Sequence, residues 1–215
     1  RYSICNFVLK SKKDMPVILT IETSTSVCSV AVFSDKETVF ERIETKGPSH
    51  AAMLGVFVED AINHLKSDKL NLDAVAISCG PGSYTGLRIG VSEAKGLCYG
   101  SDIPLIAINT PLLMASGLIK NKELPTDALL CPMIDARRME VYSAIYDQNL
   151  NIIREIQADI VTDGSYHDFL NNQKVVFFGN GAEKCKGTII HPNAIFVDDI
   201  HPIATDMNSL AINAF

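Results

Sequence analysis

The spacing of apolar residues runs through the same series of periods twice along the chain. Val17–Thr23, Val27–Phe33 and Thr38–Glu44 are rich in Val, Ile and Thr, are separated by short polar turns, and predict three successive strands. Ser49–Lys66 places Leu54, Val58, Ala61 and Leu65 at helical spacing. A strand at Ala74–Cys79, a helix from Ser83 to Tyr99 and a strand at Leu105–Asn109 follow. The second half repeats this order more loosely. Ala128–Asp135, Glu140–Tyr146 and Asn151–Gln157 predict strands; Tyr166–Leu170 a short helix; Val175–Phe178 a strand; Gly181–Lys186 a helix; and Ala194–Val197 a strand. A duplicated β-β-β-α-β-α order is a repeat of topology without a repeat of residues. It predicts two similar α/β lobes, over 15–109 and 110–215, with a hinge near Asn109–Pro125. Residues 1–14 precede the pattern as an upstream extension or a start-site artefact. Met207–Phe215 starts a final helix that reads as incomplete.

That order resembles the actin-like (ASKHA) superfamily of sugar kinases, actin and Hsp70, whose members bind ATP between the lobes. Fold alone leaves function open, so the phosphate-binding parts decide. In ATP users the first hairpin carries an Asp-x-Gly-type turn that admits phosphate to backbone amides and orients a hydrated magnesium ion. Here the turn reads Glu22-Thr23-Ser24-Thr25-Ser26, with an acid and hydroxyls but no glycine. Close backbone approach to phosphate favours glycine, so the turn is either a weak anion site or purely structural. Its counterpart in the second lobe carries Asp135, Arg137 and Arg138, and Gly179-Asn180-Gly181 lies where superfamily members hold adenosine. A plain glycine turn explains that segment equally well.

Composition narrows the remaining classes. With 47% hydrophobic and 20% charged residues, the chain can bury a core. No apolar run reaches the ~20 residues of a membrane span, and residues 1–14 lack a secretory pattern. Six cysteines without a Cys-x-x-Cys read as reduced thiols of a cytoplasmic protein. The five histidines have no metal-site pairing, and no Walker A, Gly-x-Ser-x-Gly or His-Glu-x-x-His motif occurs. No catalytic residue and no metal ligand is therefore assigned. A net charge of −6 opposes gripping nucleic acid unaided.

The most specific segment is Cys79-Gly80-Pro81-Gly82-Ser83-Tyr84-Thr85-Gly86-Leu87-Arg88-Ile89-Gly90. Its glycine spacing and its place after the fourth strand do not fit a dinucleotide fingerprint. Gly82, Gly86, Gly90 and Ala94 instead recur every four residues along one helical stripe. Each interior glycine costs ~1 kcal/mol relative to alanine, so close approach of another backbone is expected, from a neighbouring helix or a partner. On the preceding helix His50, Met53, Phe57 and His64 flank the core stripe and widen its apolar arc. They predict either a broad core face or an exposed patch for association.

Ile18–Ser24, the Gly80–Gly90 segment and Asp135–Tyr142 are similar to the TsaB (YeaZ) family. The resemblance implies a cytoplasmic, non-catalytic subunit that pairs with the catalytic paralogue TsaD and is joined by the ATPase TsaE. TsaD transfers threonylcarbamoyl to the tRNA adenosine beside the anticodon. It binds a metal through a His-x-x-x-His after the strand matching Leu105–Asn109; here those positions are Thr110 and Met114. The expectations are a partner surface on the first two helices, a homodimer when alone, and tRNA contact only through the complex. No cofactor is expected to bind tightly, with ATP or ADP a candidate at the subunit junction. The competing readings are an actin-like small-molecule kinase using Glu22, Thr23, Ser24, Asp135, Gly179 and Gly181, and a glycoprotease-type metallopeptidase.

Overall fold

The computed structural model describes residues 16–34, 37–45 and 50–215; the extension at 1–14, Met15 and Ser49 lie outside them. The first lobe is one sheet of β1 (Ile18–Glu22), β2 (Cys28–Ser34), β3 (Glu37–Glu44), β4 (Ala74–Ser78) and β5 (Leu105–Ile108), ordered β3-β2-β1-β4-β5. β1 runs antiparallel to β2 and parallel to β4. The second lobe uses β6 (Leu129–Asp135), β7 (Glu140–Tyr146), β8 (Ile152–Ile160), β9 (Val175–Phe178) and β10 (Ala194–Val197), ordered β10-β9-β6-β7-β8. Counted from the first strand of each lobe, the two orders are the same.

Every residue of β1 is buried because both faces of its sheet are covered. Leu19 and Ile21 face α1 (His50–Ser67) and α2 (Tyr84–Ser101), packing with Leu54, Phe57, Val58 and Ala94. Ile18, on the opposite face, joins Ala76, Ile106, Met207 and Ala211. This face is closed by α5 (Asn208–Ala214), a segment that the second lobe contributes.

The expected hinge is instead a helix, α3 (Thr110–Asn121). Asn109, Pro111, Gly117 and Pro125 read as linker punctuation, but Pro111 occupies the first helical turn, where a missing N–H costs nothing. Met114, Ala115 and Leu118 of α3 pack with Leu130, Ile134, Val176 and Phe178 of the second lobe. α3 thus lies between the two sheets, since its Leu113 joins the first-lobe core that α5 closes while Met114, Ala115 and Leu118 join the core of the second. A 3-10 turn, Ala204–Met207, stitches the crossing together. The Thr20 hydroxyl donates to the Ala204 carbonyl (2.9 Å), the Ala204 amide donates to Ser29 Oγ (2.9 Å), and the Ser116 hydroxyl donates to the Asp206 carbonyl (3.2 Å).

Other boundaries shift modestly. β8 extends to Ile160, the helix expected over Gly181–Lys186 is a single 3-10 turn, and α4 is confined to His167–Leu170. Among the described residues no helix is long and apolar enough to cross a membrane.

Candidate functional site

Glu22 ends β1 and is fully buried. The Ser24 amide donates to Glu22 Oε1 at 2.5 Å, and the Val27 amide donates to Thr25 Oγ1 at 3.3 Å, so two amides of the turn are consumed within it. Burial pushes the Glu22 carboxyl up, opposed by the hydroxyls of Ser24 and Ser78 and by nearby amides. Three further polar groups of the turn are tied to the helices. The Thr23 hydroxyl donates to the Gly86 carbonyl (2.9 Å), the Ser83 amide to the Ser24 carbonyl (2.6 Å), and His50 Nε2 to the Thr25 carbonyl (2.6 Å).

These bonds explain the glycine stripe. A Cβ on Gly82 would meet the Ser24 carbonyl and lie 2.8 Å from Ser24 Cβ. On Gly86 it would overlap the Thr23 carbonyl and lie 2.8 Å from His50 Cδ2; on Gly90 it would overlap Thr23 Oγ1. Ala94 is completely buried. The close backbone is therefore neither a neighbouring helix nor a partner's, but the first β-hairpin turn. The hairpin lacks glycine because the glycines that let it be approached lie on α2.

The flank of α1 belongs to the core and not to a partner surface. Phe57 is buried at 6% exposure and Met53 packs against the same core. His50 is committed to Thr25, while His64 sits beside the Phe40 ring (5.6 Å between centroids) and Asp68 (3.6 Å). The wide apolar arc is a broad core face, as the sheet beneath it is wide enough to need one. What α1 and α2 turn outward is a different set. Val56 is 50% exposed, Tyr84 69% and Tyr99 93%, and the Arg88 guanidinium lies 3.8 Å from the Tyr84 ring centroid. Cβ atoms added to Gly55, Gly96 and Gly100 would meet nothing within 4 Å. The sequence signal for these residues was their position opposite the buried stripes.

In the second lobe, Asp135, Gly179 and Gly181 are brought together. The Asn180 side chain accepts from the Asp135 amide at 3.0 Å, and the Gly181 amide donates to the Met133 carbonyl at 3.0 Å. A Cβ on Gly181 would lie 2.9 Å from the Ile134 carbonyl carbon, so this glycine permits the loop to press on the end of β6. Lys184 pairs with Asp135 and donates to the Glu140 carbonyl at 2.7 Å. Arg137 and Arg138 form the hairpin tip at φ of 69° and 43°, a left-handed pair matching the twist of the flanking strands. Thr110 and Met114 are buried at the start of α3. No group of three or more His, Cys, Asp or Glu able to hold a metal occurs among the described residues.

A family model for TsaD, the tRNA N6-adenosine threonylcarbamoyltransferase, matches residues 44–196. The tRNA threonylcarbamoyladenosine biosynthesis protein TsaB of Escherichia coli is 37% identical over 134 residues, 62% of this chain and 56% of that protein. TsaB of Bacillus subtilis is 31% identical over 143 residues, 66% of this chain and 60% of that protein. The matched region thus spans less than two thirds of these curated relatives. Among solved structures, YeaZ from Pseudomonas aeruginosa superposes with a TM-score of 0.73 at 25% identity, over 92% of this chain and 91% of that one. Shared sequence with TsaB, a shared fold with YeaZ and two sheets of actin-like order agree: the chain belongs to the TsaB/YeaZ family.

Proposed function

We propose that this protein is the non-catalytic partner subunit of a TsaD-type transferase, acting in threonylcarbamoyl modification of the tRNA adenosine beside the anticodon. The observation that carries the reading is the outward face of α1 and α2. The two helices lie side by side on one sheet and expose Val56, Tyr84, Arg88 and Tyr99. Tyrosine and arginine are the side chains that most often anchor interfaces. Gly55, Gly96 and Gly100 add three glycines that no intrachain contact requires, which suits close approach by a second backbone. Thr110 and Met114, at the positions where the catalytic paralogue keeps its histidines, support assigning the transfer chemistry to the partner. In this reading the protein is cytoplasmic, meets tRNA only within the complex, is joined by a TsaE-type ATPase, and pairs with itself through the same face when TsaD is absent. ATP or ADP would bind at the subunit junction and not tightly to this chain alone.

The test is Tyr99→Glu combined with Val56→Asp. Both side chains are exposed, so the fold should be retained by circular dichroism while TsaD capture falls at least tenfold and the sedimentation mass falls to that of a monomer. Undiminished capture of TsaD by the folded double variant would overturn the assignment of this face.

A further inference from the structure

A carboxyl sealed away from water must find a positive partner or keep its proton. Glu22, at the end of β1, is fully buried, and no lysine, arginine or histidine is among the groups that act on it. Its Oε1 accepts the Ser24 amide at 2.5 Å, and the hydroxyls of Ser24 and Ser78 lie close enough to oppose the effect of burial. Ser78 is one step past the Ile21–Ile77 pair, so it stands beside Glu22 in the parallel ladder of β1 and β4. Glu22 Oε2 and Ser78 Oγ are both buried, and neither completes a bond of ordinary geometry. Two such oxygens on adjacent strands are what a carboxyl proton would satisfy. The other titratable groups around the turn do not compete for that role. Burial pushes the Cys28 thiol of β2 up to about 11, with Glu22 and then Glu44 of β3 adding to the rise. His50 of α1 is bound to the Thr25 carbonyl, and α2 meets the turn through Gly86 and Gly90.

We propose that Glu22 keeps its proton in the folded protein at neutral pH, and that this neutral carboxyl latches the first hairpin turn shut beneath α1 and α2. Ser24, whose amide Glu22 holds, accepts the Ser83 amide at the start of α2 through its carbonyl (2.6 Å). Thr23 and Thr25, on either side, are bonded to Gly86 and His50. The carboxyl is thus one bond away from the residues that seat both helices. Removing its proton would leave a bare charge in the core, and the charge can reach water only if the turn opens. Rising pH would therefore unlatch the seat of α1 and α2, whatever docks on their outer face.

Urea unfolding of the wild type and of Glu22→Gln from pH 5 to pH 9 tests the latch. A carboxyl raised in the folded state makes folding take up a proton. Its contribution is full below the unfolded pKa of about 4.3 and is lost as pH rises toward the folded value. Glu22→Gln keeps the shape and has nothing to ionise. The ratio of the wild-type to the variant unfolding constant should therefore climb with pH, by up to about tenfold per unit. Over the same range, hydrogen exchange at the Ser83 amide should accelerate in the wild type relative to the variant. A ratio that stays constant would mean that Glu22 is already ionised in the folded protein, and would overturn the proposal. A climbing ratio with equal Ser83 exchange in the two proteins would also overturn it, because the proton would then not hold the turn. Should Glu22→Gln not fold, infrared spectra of the wild type carrying carbon-13 glutamate decide. A label-shifted band of a protonated carboxyl at pH 7 supports the latch, and its absence refutes it.

Discussion

Two alanines on one helix should move stability in opposite directions. Gly86 and Gly96 both lie inside α2, so replacing either gains about 0.5–1 kcal/mol of helix propensity. At Gly96 the new methyl meets nothing within 4 Å, and that gain should appear in full. At Gly86 it collides with the Thr23 carbonyl and with His50, whose Cδ2 and Nε2 would lie 2.8 and 3.2 Å away. Neither neighbour can yield cheaply. The carbonyl belongs to a buried turn, and the imidazole is anchored by its 2.6 Å bond to Thr25. Overpacking of this kind costs ~1–3 kcal/mol, so Gly86→Ala should be a net ~1–2 kcal/mol less stable than wild type. The gap between the variants is then roughly 1.5–3 kcal/mol, or about 3–12 °C in Tm for a domain of this size. Urea unfolding followed by circular dichroism, with calorimetry for Tm, reads it directly. If Gly86→Ala proves as stable as Gly96→Ala, α2 does not rest on the first hairpin, and the explanation of the stripe fails.

Phe57→Ala should cost about 3–5 kcal/mol and Phe57→Glu should not fold at all, measured by urea unfolding; a folded Phe57→Glu would contradict its place in the core. Asp159 is raised by burial but lowered further by bonds from Ser143 (2.5 Å), Arg154 (2.6 Å) and Tyr166 (2.8 Å), leaving it below its ordinary value. A depressed carboxylate stabilises the fold above its unfolded pKa and loses that contribution as pH falls through the folded one. The wild type should therefore exceed Asp159→Asn by roughly 1–3 kcal/mol near neutrality, with the gap shrinking only below about pH 4. A gap unchanged down to pH 2, by urea titration, would contradict this.

Element order was legible because each lobe alternates two clean periods, and β1 to β5 carry enough Val, Ile and Thr to leave little choice. α3 was missed for a physical reason. Its first turn holds a proline and its middle a glycine, both signs of a linker. Yet Gly117 is required where Asp206 crosses, since a Cβ there would lie 3.0 Å from Asp206 Cγ. Only the packing of α3 against the Ala204–Met207 turn explains that residue, and a contact between segments ~90 residues apart leaves no periodic trace.

The glycine stripe shows where reading of a site from sequence stops. Spacing of four establishes that something approaches α2 closely, but it carries no direction, and a hairpin, a helix or a partner would each satisfy it. The identity of that neighbour lies in the first hairpin, which offers Thr23, Ser24 and Thr25 to the helices. Those are the residues a phosphate-binding reading would place against a ligand. The hydrogen-bonding capacity of a short turn is finite. A carbonyl or hydroxyl committed to α1 or α2 is aimed away from the opposite side, and the Ser24 amide bound to Glu22 is not free to meet an anion. The first hairpin thus spends these polar groups on a mount beneath two helices. Under the proposed function, a mount that fixes α1 and α2 also fixes the exposed Val56, Tyr84 and Tyr99 that they carry, which lowers the ordering cost of a partner docking there.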